Sequence, residues 1–160
     1  MSEDLVFQTK NFTVGRHPQP FVSRADGGHL RIFPKNNEVS CINDLSVEES
    51  IELIRLQRVV REALMTAMNK RGVAVVWVNL EDLGNWAFKR GERPVLHIHV
   101  FGRARDAVKQ PFPEAVNLPD RSTGFYDGFE ALNQGDMKAI AEEMAMVFAR
   151  PEYQDDQWGL

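Results

Sequence analysis

The stretch RPVLHIHVFGRA, Arg93 to Ala104, alternates apolar side chains with two histidines one residue apart. Alternation with a period of two is the mark of a strand, in which successive side chains point to opposite faces. Val95, His97, His99 and Phe101 therefore share one face. Leu96, Ile98 and Val100 share the other, which is wholly apolar and needs a cover. The histidine face is left directed at a cleft or at solvent.

The cover is legible upstream. Ser46-Val47-Glu48-Glu49 is a capping box, in which the Ser hydroxyl accepts from the amide three residues on and Glu49 reaches back to the cap amide. From there Ile51, Leu53, Ile54, Leu56, Val59, Val60, Ala63, Leu64, Ala67 and Met68 recur at three- and four-residue steps. Arg71-Gly72 supplies a basic last turn and a stop. The spacing predicts one long helix packed under the apolar face of the histidine strand.

The remaining segments read as short strands and turns. NFTVGR and PFVSR are brief β-like runs, separated by His17-Pro18-Gln19-Pro20, and Ala25 to Gly28 (ADGG) is a hairpin signal before HLRIFPK. Val73 to Asn79 is a β-rich run. Leu80 to Arg93 is a long polar connection. Beyond Asp106 the chain turns irregular through Pro111, Pro113 and Pro119. Asn133 and Asp136 then cap a second helix with Met137, Ile140, Met144 and Val147 on one face, ended by Pro151. An α+β domain follows: an antiparallel sheet of about five strands, one long helix and an added C-terminal helix.

Composition narrows the chemistry. At 160 residues, with 43% hydrophobic and 26% charged residues, the chain makes one well-packed domain. Its net charge of −4 argues against nucleic acid as a partner. Cys41 is the only cysteine, so internal disulfides and thiolate-rich metal cages are excluded, and a reducing cytoplasm fits. MSEDLVFQTK is acidic where a signal peptide would be basic, and no window has the apolar length of a membrane span.

Three readings of His97 and His99 are open. They are surface histidines without a task. Or they are two ligands of a metal, completed from His17, His29, Asp82 and Glu92, none of which lies at a diagnostic spacing. Or they catalyse: neutral imidazole attacks phosphorus and forms a phosphoramidate, while a second imidazole on the same face hydrogen-bonds the phosphoryl oxygens or protonates the leaving group.

PVLHIHVFGR, with GGHLRIFP and LSVEESIELIRLQRVV upstream in that order, resembles the histidine triad (HIT) superfamily of nucleotide hydrolases and transferases. The resemblance covers about residues 11–103, leaving 104–160 as an extension of a single HIT-like domain. It implies that His97 is the nucleophile and His99 the last histidine of the triad, with Val95 in the place of the first. A shifted register would make His97 first and His99 nucleophilic; the former keeps Arg103 at the motif's basic ending. The resemblance further places Asn79 near the phosphates, Arg103 as a phosphate partner or a strand-end cap, and His29 as a support. Trp77, Trp86 and Phe88 either stack a base or belong to the core. The implied activity is hydrolysis or transfer at the α-phosphate of a nucleotide or dinucleoside polyphosphate, without metal or cofactor, in a homodimer formed through the long helix and neighbouring strand. Loss of the first histidine leaves a nucleotide-binding module without turnover as the rival, and a metal-dependent enzyme third.

Overall fold

The computed structural model describes residues 3–160. Five strands, β1 (Leu5–Gln8), β2 (Phe12–Arg16), β3 (His29–Pro34), β4 (Val75–Asp82) and β5 (Ile98–Ala104), form one antiparallel sheet in the order β1-β2-β3-β5-β4. The histidine strand is thus flanked on both sides. The predicted α+β architecture is the one observed.

Helix α1 (Val47–Lys70) begins at the capping box: Ser46 Oγ accepts from the Glu49 amide at 3.1 Å and Glu49 Oε2 accepts from the Ser46 amide at 2.9 Å. Such a cap contributes about 1 kcal/mol. The helix lays Leu53, Leu56, Val60, Leu64 and Met68 against Leu30, Ile32, Leu96, Ile98 and Val100. The apolar face of the histidine strand is therefore covered as its pattern required. Ile54 is the exception in the apolar series, 48% exposed because it points away from the sheet.

Helix α2 (Gln134–Phe148) opens at Asn133 with Asp136 as its reciprocal partner and packs along α1 and β1. Asp136 is fully buried and accepts from Arg24 at 2.6 and 2.9 Å and from Arg71 at 2.5 Å. Burial opposes its charge, but the two guanidiniums outweigh it and hold the carboxyl below its usual range. One carboxylate thereby ties α2 to the end of α1 and to residue 24. A short helix α3 (Asp155–Trp158) follows the turn at Pro151.

Four expectations are corrected. PFVSR forms no strand; Pro18 and Pro20 break the ladder and residues 17–28 make a loop with a 3₁₀ turn at Arg24–Asp26. The fifth strand is instead β1, on the outer edge beyond β2. Ala25 to Gly28 is not a tight hairpin: Gly27 and Gly28, at φ 133° and 88°, return this loop to β3. The polar connection after Asn79 is partly ordered, since β4 runs to Asp82 and Gly84–Arg90 is a 3₁₀ segment.

The opposite face of the sheet is covered by loops. Phe21, Val22, Phe101 and Tyr126 form a second small core, with Leu83, Trp86 and Leu118 packed on it. Gly27 approaches Gly102 of β5 so closely that a Cβ on either would lie about 2 Å from the other's carbonyl oxygen. The motif's glycine therefore lets the 17–28 loop rest on the histidine strand.

Candidate active site: a corner of four histidines

All four histidines of the chain meet at one corner of the loop-covered face. Strand register explains it. On β3, His29 and Arg31 stand opposite Phe101 and His99 of β5. Residue 17 continues the β2–β3 pairing one step past Arg16 and Leu30, its amide donating to the His29 carbonyl at 3.0 Å. Ring centroids lie 4.7 Å apart for His17 and His29, 5.1 Å for His29 and His99, and 4.7 Å for His97 and His99.

The hydrogen bonds determine which nitrogen carries each proton. The Phe21 amide can only donate, so His29 Nδ1 accepts it, at 3.1 Å. Neutral His29 then carries its proton on Nε2 and donates to His99 Nδ1, 2.9 Å away. His99 must hold its own proton on Nε2. At His97 the order reverses: Nδ1 lies 2.9 Å from the Val95 carbonyl, which can only accept, so Nδ1 is protonated and Nε2 keeps its lone pair.

Burial keeps the supporting rings neutral. It is the first cause that lowers His99 to about 3, followed by the charges of His97, His17 and Arg31. His17 is likewise lowered to about 3, by burial and then by Arg31 and Arg121. His29 is almost wholly buried and falls well below the ordinary histidine value for the same first reason.

His17, His97 and His99 line a cleft of about 280 Å³, whose walls include Arg31, Phe33 and Trp86. Arg31 has no hydrogen-bond partner on its buried Nε, and its guanidinium lies 4.9 Å from the Phe33 ring. Phe33 stacks on His97 at 5.2 Å. A second cavity of about 270 Å³ shares Phe21, Trp86 and Arg90 with the first and is closed by Lys89, Leu118 and Arg121. Arg121, from the segment DRSTGFYD, lies 4.3 Å over Phe21. That segment is therefore part of the cover beside the cleft.

Of the residues expected from sequence, His97 and His99 are brought together and His29 stands directly behind His99. Asn79 and Arg103 are engaged elsewhere. Arg103 is 2% exposed and donates to Asn79 Oδ1 at 3.1 Å and to the carbonyls of Pro111 and Glu114 at 3.1 and 2.8 Å. Neither lines the cleft. Both anchor the extension to the sheet. Of the aromatic candidates only Trp86 lines the cleft; Trp77 is half exposed under Arg61 and Phe88 is largely exposed. Nothing in the sequence marks His17 and Arg31 as neighbours of His99; strand register alone brings them to its face.

Among the described residues, no group of three or more His, Cys, Asp or Glu is arranged to hold a metal ion. The reason is visible in the bonds. His29 and His99 spend nitrogens on each other, Asp82 accepts from the Gly84 amide and Glu92 pairs with Arg90.

The sequence profile of the HIT domain matches residues 1–106. The chain belongs to the HIT family. Solved structures share its fold: a histidine triad protein from Bradyrhizobium japonicum, 18% identical, covers 89% of this chain and 92% of its own at a TM-score of 0.59. A hypothetical histidine triad nucleotide-binding protein from Sulfolobus tokodaii, 16% identical, covers 90% and 85% at 0.58. A uridylyltransferase, 15% identical, covers 91% of this chain and 42% of its own length at 0.51. No curated protein matches the sequence. The HIT match ends near β5, so most of the extension that covers the histidine corner lies outside it.

Proposed function

We propose that this HIT protein is a nucleotide hydrolase or nucleotidyl transferase working at the α-phosphate through a nucleotidyl-histidine on His97. The observation that carries the reading is the pairing of His97 Nδ1 with the Val95 carbonyl, which leaves an unprotonated Nε2 on a partly exposed ring at the cleft. Nε2 forms a bond to phosphorus as the bond to the leaving group breaks, and the leaving group departs with the electron pair and takes a proton from solvent. Water then attacks phosphorus, gives its proton to solvent, and the P–N bond breaks to release nucleotide and neutral imidazole. In transfer, another nucleophile takes the place of water.

Around that step His99 Nε2–H donates to a phosphoryl oxygen, and Arg31 offsets the phosphate charge. His29 is a positioning residue, since its bond to His99 Nδ1 aims the His99 proton. Trp86 and Phe33 give the cleft aromatic walls suited to a nucleotide base. Asn79 and Arg103 serve by holding the extension that packs beside the site. The homodimer rests on the outer edge of β4 and the adjacent α1 surface, where Trp77 and Ile54 stand exposed. A reducing cytoplasm suits the free, exposed Cys41, and no described helix is long and apolar enough to cross a membrane.

The test is to incubate the protein with adenosine and guanosine phosphoramidates, quench, and read the mass of the peptide carrying His97. A nucleotidyl adduct on His97, formed equally in EDTA, is expected. Turnover abolished by chelator and restored by zinc would overturn the mechanism. A second reading is favoured by one observation, the apolar Val95: a nucleotide-binding module would bind the panel and turn none of it over.

A further inference from the structure

The position occupied by Val95 raises a chemical question. Its side chain reaches the cleft wall, 38% exposed, and carries no polar atom. A phosphoryl group held by His97 would have no donor from that direction. Of the three histidines lining the cleft, His97 and His99 belong to the β5 strand and the residue just before it, whereas His17 comes from the other side, just past the end of β2.

His17 is held firmly. Its amide donates to the His29 carbonyl at 3.0 Å, and its ring packs on His29 and on Phe21, with centroids at 4.7 and 5.4 Å. Pro18 follows it, and the Gln19 amide donates to Nδ1 at 3.1 Å. That amide can only donate, so neutral His17 carries its proton on Nε2, which bonds to no group among the described residues. The groups facing it are cationic or imidazole: His29 and Arg31 on β3, His97 and His99 on the β5 segment, and Arg121 from the extension. The carboxylate that lines the cleft, Glu92, is paired with Arg90 at 2.8 Å. A donor with no acceptor, flanked by neutral rings and the guanidiniums of Arg31 and Arg121, is arranged for an anion.

We infer that His17 supplies the phosphate donor that Val95 cannot, its Nε2–H hydrogen-bonding a non-bridging oxygen of the phosphoryl group attacked by His97. The inference rests on the nucleotidyl-histidine reading for its kinetic consequence and on geometry alone for its binding consequence. The corner then works as a set of four rings with separate tasks. His97 attacks, His99 donates from β5 and His17 from just past β2 on the far side of β3, and His29 orients His99. The extension contributes indirectly, because the 17–28 loop that carries His17 is held through Asp26, which accepts from the amides of Val108, Lys109 and Gln110 at 3.0, 2.8 and 2.7 Å.

The experiment combines kinetics with nitrogen NMR of the full chain. His17→Phe keeps an aromatic ring beside His29 without a donor, and kcat on an adenosine phosphoramidate is expected to fall about a hundredfold with little change in KM. His17→Gln, whose side-chain amide can donate, recovers part of that loss. Adding Val95→His to His17→Phe restores turnover from the other side. In the wild-type protein, AMP shifts the His17 Nε2 resonance and raises that ring's pKa as phosphate approaches. His17→Phe turnover within twofold of wild type, or AMP that shifts His99 and leaves His17 unmoved, overturns the inference. An AMP-induced shift at His17 with no adduct on His97 keeps the donor role and overturns the covalent reading instead.

Discussion

The two faces of the sheet are built from alternate residues of the same strands, yet they are closed in opposite ways. On one face α1 presses an unbroken layer of Leu, Val, Ile and Met against Leu96, Ile98 and Val100. On the other, His99 is as buried as those residues, at 3% exposed, but its neighbours are rings, an arginine and loops. The helix-covered face is held by area removed from water, which is non-directional and tolerant of similar shapes. The histidine face joins a small aromatic core around Phe21, Phe101 and Tyr126 to directed bonds, each with one donor and one acceptor. Such a face tolerates little substitution, and it can do chemistry.

Removing the nucleophile should give the largest effect and separate the faces most sharply. His97→Ala is expected to lower turnover at least about a thousandfold while the urea midpoint stays near wild type, because a partly exposed ring adds little to the core. Loss in His99→Ala with near-normal His97→Ala would instead establish the shifted register. On the helix face the same truncation acts on folding. Leu56→Ala should cost about 2–5 kcal/mol in urea unfolding, since Leu56 is fully buried and its removal leaves a cavity.

The extension's grip is the next test. Arg103→Met removes the charged donor to Asn79, Pro111 and Glu114 from a buried position, a loss of about 1–3 kcal/mol. Limited proteolysis should then cut within residues 105–132 faster than in wild type. An unchanged cleavage rate would mean that the second core alone holds the segment.

A pH-dependent effect separates the two faces without any substitution. His17 and His99 bind protons in the folded state only near pH 3, against an ordinary value of 6.5, so below pH 6.5 the unfolded chain takes up protons that the folded one does not. Their contribution to stability is fully present above 6.5 and is lost progressively as pH falls toward 3. Each ring adds up to about 1.4 kcal/mol per pH unit within that window. Urea midpoints at pH 7, 6 and 5 should decline, and the decline should be shallower in His17→Phe; a midpoint indifferent to pH would count against neutral buried rings. The smallest effect is expected at the solvated surface of α2, where Lys138 and Glu142 stand 3.9 Å apart and both are exposed. Lys138→Ala should change stability by no more than about 0.5 kcal/mol, with activity unaffected.

What the sequence by itself determined is whatever depends on neighbours along the chain. The capping boxes at Ser46 and Asn133, the helix period of α1 and the ending of α2 near Pro151 are local and appear where the pattern put them, whereas the histidine strand, expected over Val95 to Phe101, runs instead from Ile98 to Ala104. The family was legible because GGHLRIFP, LSVEESIELIRLQRVV and PVLHIHVFGR follow one another in that order along the chain. Tertiary structure alone decided the rest. β1 has only four residues and gains its bonds by pairing with β2, and PFVSR, of similar composition, is kept out of the sheet by its prolines. His17 and Arg31 join the site through register across strands, a relation that sets Arg31 opposite His99, 68 positions along the chain, and for which sequence spacing carries no signal. Arg103 sits at the motif's basic ending, but the carbonyls that claim it arrive from an extension whose path is set by folding. Local periodicity specifies which side chains share a face of one element, whereas the choice of what meets that face belongs to packing and long-range hydrogen bonding.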